Sequence, residues 1–142
     1  MNPTVKSVLG VFGGLIIGSA VNMALVSIGP MVIPPPAGAD FSTMEGLEAA
    51  MPLMEPKHFV FPLLAHALGT LVGAFIAALI ATTRKLRFAM IIGVAFLIGG
   101  VLNIIMLPSP VWFTLLDVLV AYLPMAYLGY ITSLRFNAEK AN

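Results

Sequence analysis

Four long apolar segments dominate this chain, and each is close to the length that crosses a lipid bilayer. They run from about Val5 to Ile28, His58 to Thr82, Phe88 to Leu107 and Val111 to Leu134. Roughly 20 helical residues span the ~30 Å of bilayer hydrocarbon. In lipid every backbone N–H and C=O must be bonded internally, so such segments are expected to be helices. Their breaks are explicit. Gly29-Pro30 and Pro34-Pro35-Pro36 close the first, Arg84-Lys85-Leu86-Arg87 separates the second and third, and Pro108-Ser109-Pro110 separates the third and fourth. Proline lacks an N–H and disfavours helix in the residue before it.

Composition points the same way. Of 142 residues, 60% are hydrophobic and 9% charged, where a soluble domain is about one-quarter charged. The expectation is an all-α integral membrane protein, a single four-helix transmembrane domain over residues 1–142. The first segment is too long for a cleaved leader and is expected to be a retained helix. The absence of cysteine excludes disulfides, thiolate metal sites and cysteine nucleophiles. No basic run interleaved with aromatics suggests a nucleic-acid partner.

The distribution of charge sets an orientation. Lys6, Arg84, Lys85, Arg87, Arg135 and Lys140 fall on one side of the four segments; Asp40, Glu45, Glu48 and Glu55 fall on the other, with Lys57. By the positive-inside rule both termini are expected in the cytoplasm and loop 29–57 outside. Trp112 is expected near the outer boundary, Tyr127 and Tyr130 near the inner one. Within the loop, Ser42-Thr-Met-Glu45 has capping-box spacing. Met44, Leu47, Met51 and Met54 recur at helical intervals, so a short amphipathic helix is expected there. It is either a lid or an ordered cover for the helix ends.

Small residues recur every four positions: Gly10, Gly14 and Gly18 on the first helix, and Gly69, Gly73, Ala77 and Ala81 on the second. Such stripes let helix backbones approach closely, within one bundle or between copies. Gly100 belongs to a similar packing face on the third helix. A weak repeat relates IIGSAVNM (16–23) to LIGGVLNI (97–104), aligning Gly18 with Gly99 and Asn22 with Asn103. Duplicated hairpins and chance similarity between apolar helices both account for it.

Four strongly polar residues interrupt the apolar segments: Asn22, His66, Asn103 and Asp117. Counted from the breaks, each lies roughly 8–12 Å from the outer edge at 1.5 Å per residue. A shared polar layer follows, with Thr70 one turn from His66. A carboxylate facing lipid is costly, so Asp117 is expected to face protein or water. His66 and Asp117 are candidates for a proton-handling pair, and Asn22 and Asn103 for interhelical hydrogen bonding or ligand contact. Pro124 is expected to kink the fourth helix, as a static bend or a hinge. No catalytic triad, nucleotide-binding glycine motif or metal-ligand spacing is present, and the sequence names no cofactor.

In plan the chain resembles small four-helix bacterial inner-membrane proteins, and no named family is indicated. It lacks the CxxC of the quinone-reductase type of four-helix oxidoreductase. Three functions are consistent with it. The first is a non-enzymatic accessory subunit or homo-oligomeric scaffold, partnered by the bilayer, by copies of itself or by a larger membrane complex. The second is a small-solute or ion carrier using the His66/Asp117 layer. The third is a membrane enzyme acting on a lipid or quinone.

Overall fold

The computed structural model describes residues 2–141; Met1, Asn142 and the side chains of Lys140 and Ala141 lie outside the described residues. Six α-helices follow one another: α1 (Pro3–Val32), α2 (Met44–Ala50), α3 (Val60–Ile80), α4 (Lys85–Met106), α5 (Val111–Val120) and α6 (Leu123–Ala141). Two 3₁₀ turns, Met51–Leu53 and Pro56–Phe59, join α2 to α3. Four helical stretches are long and apolar enough to cross a membrane: Pro3–Val32, Pro56–Ile80, Lys85–Met106 and Val111–Glu139. They alternate in direction, so the basic residues Lys6, Arg84, Lys85, Arg87 and Arg135 gather at one end. The acidic loop lies at the other.

The helix bounds depart from the sequence reading where packing overrides local signals. Gly29-Pro30 does not end α1, which continues to Val32. Proline lacks the donor of only one helical bond, and the last turn closes with Ile33 N–H on the Gly29 carbonyl at 2.8 Å. Gly29 is buried because a Cβ there would stand 2.8 Å from that of Phe61 on α3. The third helix starts earlier than Phe88. Arg84 takes a left-handed backbone (φ 49°) that turns the chain, and Lys85 already begins α4. The cap of α2 is shifted by one residue. Thr43, not Ser42, accepts the Gly46 N–H, while Ser42 bonds Asp40 through both its hydroxyl and its N–H.

α3 is the central element and packs against α1, α4 and α6. Its contact with α1 is built from small residues. Gly14 lies against the Gly73 backbone and Gly18 against the Gly69 carbonyl, where an added Cβ would come within 2.6 Å of the oxygen. Gly10 continues the line toward Ala77 and Ile80. The two glycine stripes thus meet each other within one chain. Near the basic end Ala74, Ala77, Ala78, Ala89, Ile92 and Ala126 form a close-packed core. There the Tyr127 and Tyr130 rings lie 6.1 Å apart and Phe75 meets Phe136 edge-on.

At the acidic end Phe59, Trp112 and Phe113 form an aromatic cluster, with centroids 4.7–5.8 Å apart. His58 ties the loop to the start of α3. Its Nδ1 accepts the Glu55 N–H at 2.9 Å, and its Nε2–H donates to the Pro34 carbonyl at 3.2 Å. The loop is therefore folded onto the helix ends.

The fourth apolar segment is two helices. α5 stops at Val120 and α6 resumes at Leu123, with Ala121 and Tyr122 in a turn between them. Pro124 has no N–H to return to the Val120 carbonyl. The structure thus has a break where the sequence predicts a kink.

Two expectations follow. Replacing Gly18 with Ala overpacks the α1–α3 contact and should destabilise the protein by about 1–3 kcal/mol, read in a thermal or denaturant melt in lipid nanodiscs. The control is Gly99→Ala, where a Cβ meets nothing within 4 Å; it should be neutral or slightly stabilising. Equal effects would refute the close-contact assignment. In the loop, the Ser42 hydroxyl, and after it the Ser42 N–H, hold the Asp40 carboxyl below its ordinary 3.8. A lowered pKa gives stability that is present above the ordinary value and lost as pH falls through the lowered one. Ser42→Ala should move the Asp40 midpoint, followed by NMR, back up toward 3.8; no movement would exclude the hydroxyl as the main cause.

Candidate functional site

Asp117 on α5 is 1% exposed and sits among apolar helices. A buried carboxylate must be met by hydrogen bonds or its desolvation goes uncompensated. Both oxygens lie 2.9 Å from Nδ1 of His66 on α3, and Oδ2 also accepts the Tyr122 hydroxyl at 2.7 Å. The carboxylate form offers only acceptors, so the pattern assigns a proton to Nδ1. The Tyr122 oxygen is 3.0 Å from the same nitrogen, and the two rings stack with centroids 5.8 Å apart. Three side chains thus close one buried cluster.

The helix break creates this geometry. Tyr122 is five residues beyond Asp117, which on a continuous helix is about 140° around the axis, on another face. The turn at Ala121–Tyr122 brings the phenol back to the carboxylate. Gly100 on α4 completes the fit, because a Cβ there would overlap the Tyr122 hydroxyl and ring. Gly100 is thus a residue of the site as well as of the helix contact. The charge and amide pattern of the sequence does not single out Tyr122; its one signal is a phenol inside an apolar span, whose polar tip needs a partner when buried.

A cavity of about 550 Å³ opens beside the cluster, between α1 and α4. His66, Asp117 and Tyr122 line one side, with Asn22 on α1 and Asn103 on α4. Leu47, Met51 and Met54 line it from the loop, so α2 and the 3₁₀ turn after it cover its acidic end. Phe59, Phe96 and Phe113 supply aromatic wall. The rim between α1 and α4 is open, with Ser19, Met23, Gly99 and Asn103 all exposed.

The structure brings four of the polar candidates, Asn22, His66, Asn103 and Asp117, to this cavity. α1 runs past its expected stop, so Asn22 is further from its helix end than Asn103 is, and it stands beside Gly69, one turn from His66 on α3. Neither Asn side chain makes a hydrogen bond among the described residues, unlike the expected interhelical glue. Thr70 is fully buried, and its hydroxyl donates to the His66 carbonyl at 2.7 Å, so it steadies the helix rather than facing the cavity. Pro124 is exposed beyond the break. The aligned positions of the weak repeat diverge in part. Asn22 and Asn103 both line the cavity, but Gly18 is buried against α3 and Gly99 stands free.

His66 Nε2 also makes no hydrogen bond among the described residues. No buried side-chain nitrogen or oxygen among them lacks a partner, so Nε2 is accessible, on a residue that lines the cavity. With Nδ1 carrying the proton, a neutral ring presents a lone pair at Nε2. The unit can therefore accept a hydrogen bond or a proton from a molecule in the cavity. No group of three metal-ligating side chains occurs among the described residues. Comparison with protein-family models, curated proteins and solved structures found no match.

If the cluster acts as a unit, a double-mutant cycle on His66→Phe and Asp117→Leu should show coupling of at least ~1 kcal/mol in stability, since removing one partner strands the other. Additivity would refute the direct pair. Tyr122→Phe, which removes only the hydroxyl, should cost about 1–2 kcal/mol. Gly100→Ala should cost at least as much by displacing the ring.

Proposed function

We propose that the protein is an integral membrane protein of bacterial inner-membrane type that binds a small, largely apolar molecule between α1 and α4 and acts as its carrier. His66 and Asp117 handle a proton in this reading. Membrane placement is supported by the exposed apolar side chains along the helices, including Ile16 (70% exposed), Ile105 (71%) and Leu119 (68%); in water such a surface would drive association. The basic residues at one end support cytoplasmic termini and an outside acidic loop.

The observation that carries the binding reading is the cavity with unspent hydrogen-bonding groups around it. A layer serving only to lock helices would pair its polar groups with one another. Here His66 Nε2, Asn22 and Asn103 are left for something else. Cavities of about 300–1,000 Å³ with apolar walls and a few convergent polar groups are the usual form of small-molecule sites.

The second reading is an accessory subunit or homo-oligomeric scaffold. The open α1–α4 edge favours it, because a partner helix seated there would cover Asn103. Native mass spectrometry in gentle detergent separates the two. A monomer or homo-oligomer with a retained small molecule supports the first reading, and a stoichiometric foreign subunit the second.

Gly99→Leu tests the binding reading directly. Gly99 lines the cavity with open space at its Cβ, so leucine is expected to occupy the site, and it improves helix propensity by up to ~1 kcal/mol. The variant should melt at or above the wild-type temperature and lose saturable binding of a neutral lipophilic fluorophore such as N-phenylnaphthylamine. Equal binding by both proteins would contradict the assignment.

A further inference from the structure

The hydrogen-bonding pattern of the cavity constrains the kind of molecule it takes. Nδ1 of His66 is committed to Asp117, so the nitrogen left for a ligand is Nε2, as an acceptor. With the ring neutral and Nδ1 carrying the proton, a ligand that meets Nε2 must bring a donor. The Asp117 carboxylate is not free to take an organic cation. It already receives the Tyr122 hydroxyl and the His66 ring, and it is 1% exposed. A neutral O–H donor answers this arrangement better than an ammonium group.

The remaining groups narrow the class. The amides of Asn22 and Asn103 stand on the two helices that flank the cavity, and each has both donor and acceptor capacity. They suit a second oxygen on the same molecule. Phe59, Phe96 and Phe113 make the cavity lining partly aromatic, which suits an aromatic ring, and Met51 and Met54 are soft fillers beside one. The open rim at Ser19, Met23 and Gly99 lets an apolar tail leave the cavity sideways between α1 and α4.

We propose that the ligand is a lipid-soluble phenol or quinol. One ring hydroxyl donates to His66 Nε2, a second oxygen meets Asn22 or Asn103, and the tail passes between α1 and α4. This rests on the binding reading above and concerns recognition alone, with no electron transfer.

The only tryptophan of the chain provides the readout. Trp112 packs on Phe59 and Phe113, both of which line the cavity. Anaerobic titration of the full-length protein in nanodiscs would use three probes: a decyl-substituted hydroquinone, its bis-methyl ether and decyltrimethylammonium. Protein-free nanodiscs containing N-acetyltryptophanamide correct for non-specific quenching. The hydroquinone is expected to change Trp112 fluorescence saturably and to bind at least about tenfold more tightly than the ether, which lacks the donor. His66→Phe should erase that preference. Asn103→Leu, at an exposed position that does not threaten folding, should weaken hydroquinone binding several-fold.

Ether and hydroquinone binding alike would overturn the ligand class and leave the cavity reading standing. Tighter binding of the ammonium probe would do the same in favour of a cation. Binding of N-phenylnaphthylamine but of none of the three would also reject the class alone. If neither the fluorophore nor any probe bound saturably, both readings would fall.

Discussion

A single buried carboxylate organises the acidic half of this bundle. Asp117 is almost without solvent contact, and a charge in such a place persists only when fully hydrogen-bonded. Its two oxygens are met by one nitrogen from α3 and one hydroxyl from within the helix break. That requirement sets the register of α5 against α3. It also gives the α5–α6 break a structural purpose, since an unbroken helix would aim Tyr122 elsewhere. Gly100 follows from the same demand, because the phenol occupies the volume a side chain would need.

The basic half is organised by absence of side-chain volume. Gly10, Gly14 and Gly18 bring α1 onto Gly69, Gly73 and Ala77 of α3, backbone against backbone. Between apolar helices in lipid, close van der Waals approach substitutes for a hydrophobic driving force. This contact draws α1 toward α3, while Ala89 and Ile92 hold α4 against α3 and Gly93 holds it against α6. Toward the acidic end the two flanking helices are bridged by no comparable contact, and the cavity lies between them. Its position is thus a consequence of where the small residues stop.

Much of the architecture was legible in the sequence because it is written in segment length and punctuation. Four apolar stretches, the amphipathic turn in the loop and the glycine stripes all have local signatures. The His66–Asp117 pair was also within reach, since few polar residues occur inside the apolar segments and each needs a partner. What escaped was set by tertiary contact. Gly29-Pro30 reads as a stop, yet α1 continues because Gly29 packs on Phe61. Pro124 reads as a kink, and the structure shows it as a two-residue turn, Ala121 and Tyr122, whose exact place depends on the Tyr122–Asp117 contact that local sequence does not reveal. The roles of Asn22 and Asn103 were not legible, because spacing shows which face an amide occupies but not whether another side chain meets it there.

The central claim is that His66 holds a proton on Nδ1 toward Asp117 and leaves Nε2 open to the cavity. Nitrogen-15 NMR of ring-labelled histidine in nanodiscs tests this most directly, with His66 assigned by comparison with His66→Phe. The account requires a protonated, hydrogen-bonded Nδ1 and an unprotonated Nε2 at neutral pH, with the Nε2 signal moving when a cavity ligand is added. A proton on Nε2 with a bare Nδ1, or an Nε2 signal indifferent to every cavity ligand, would contradict it.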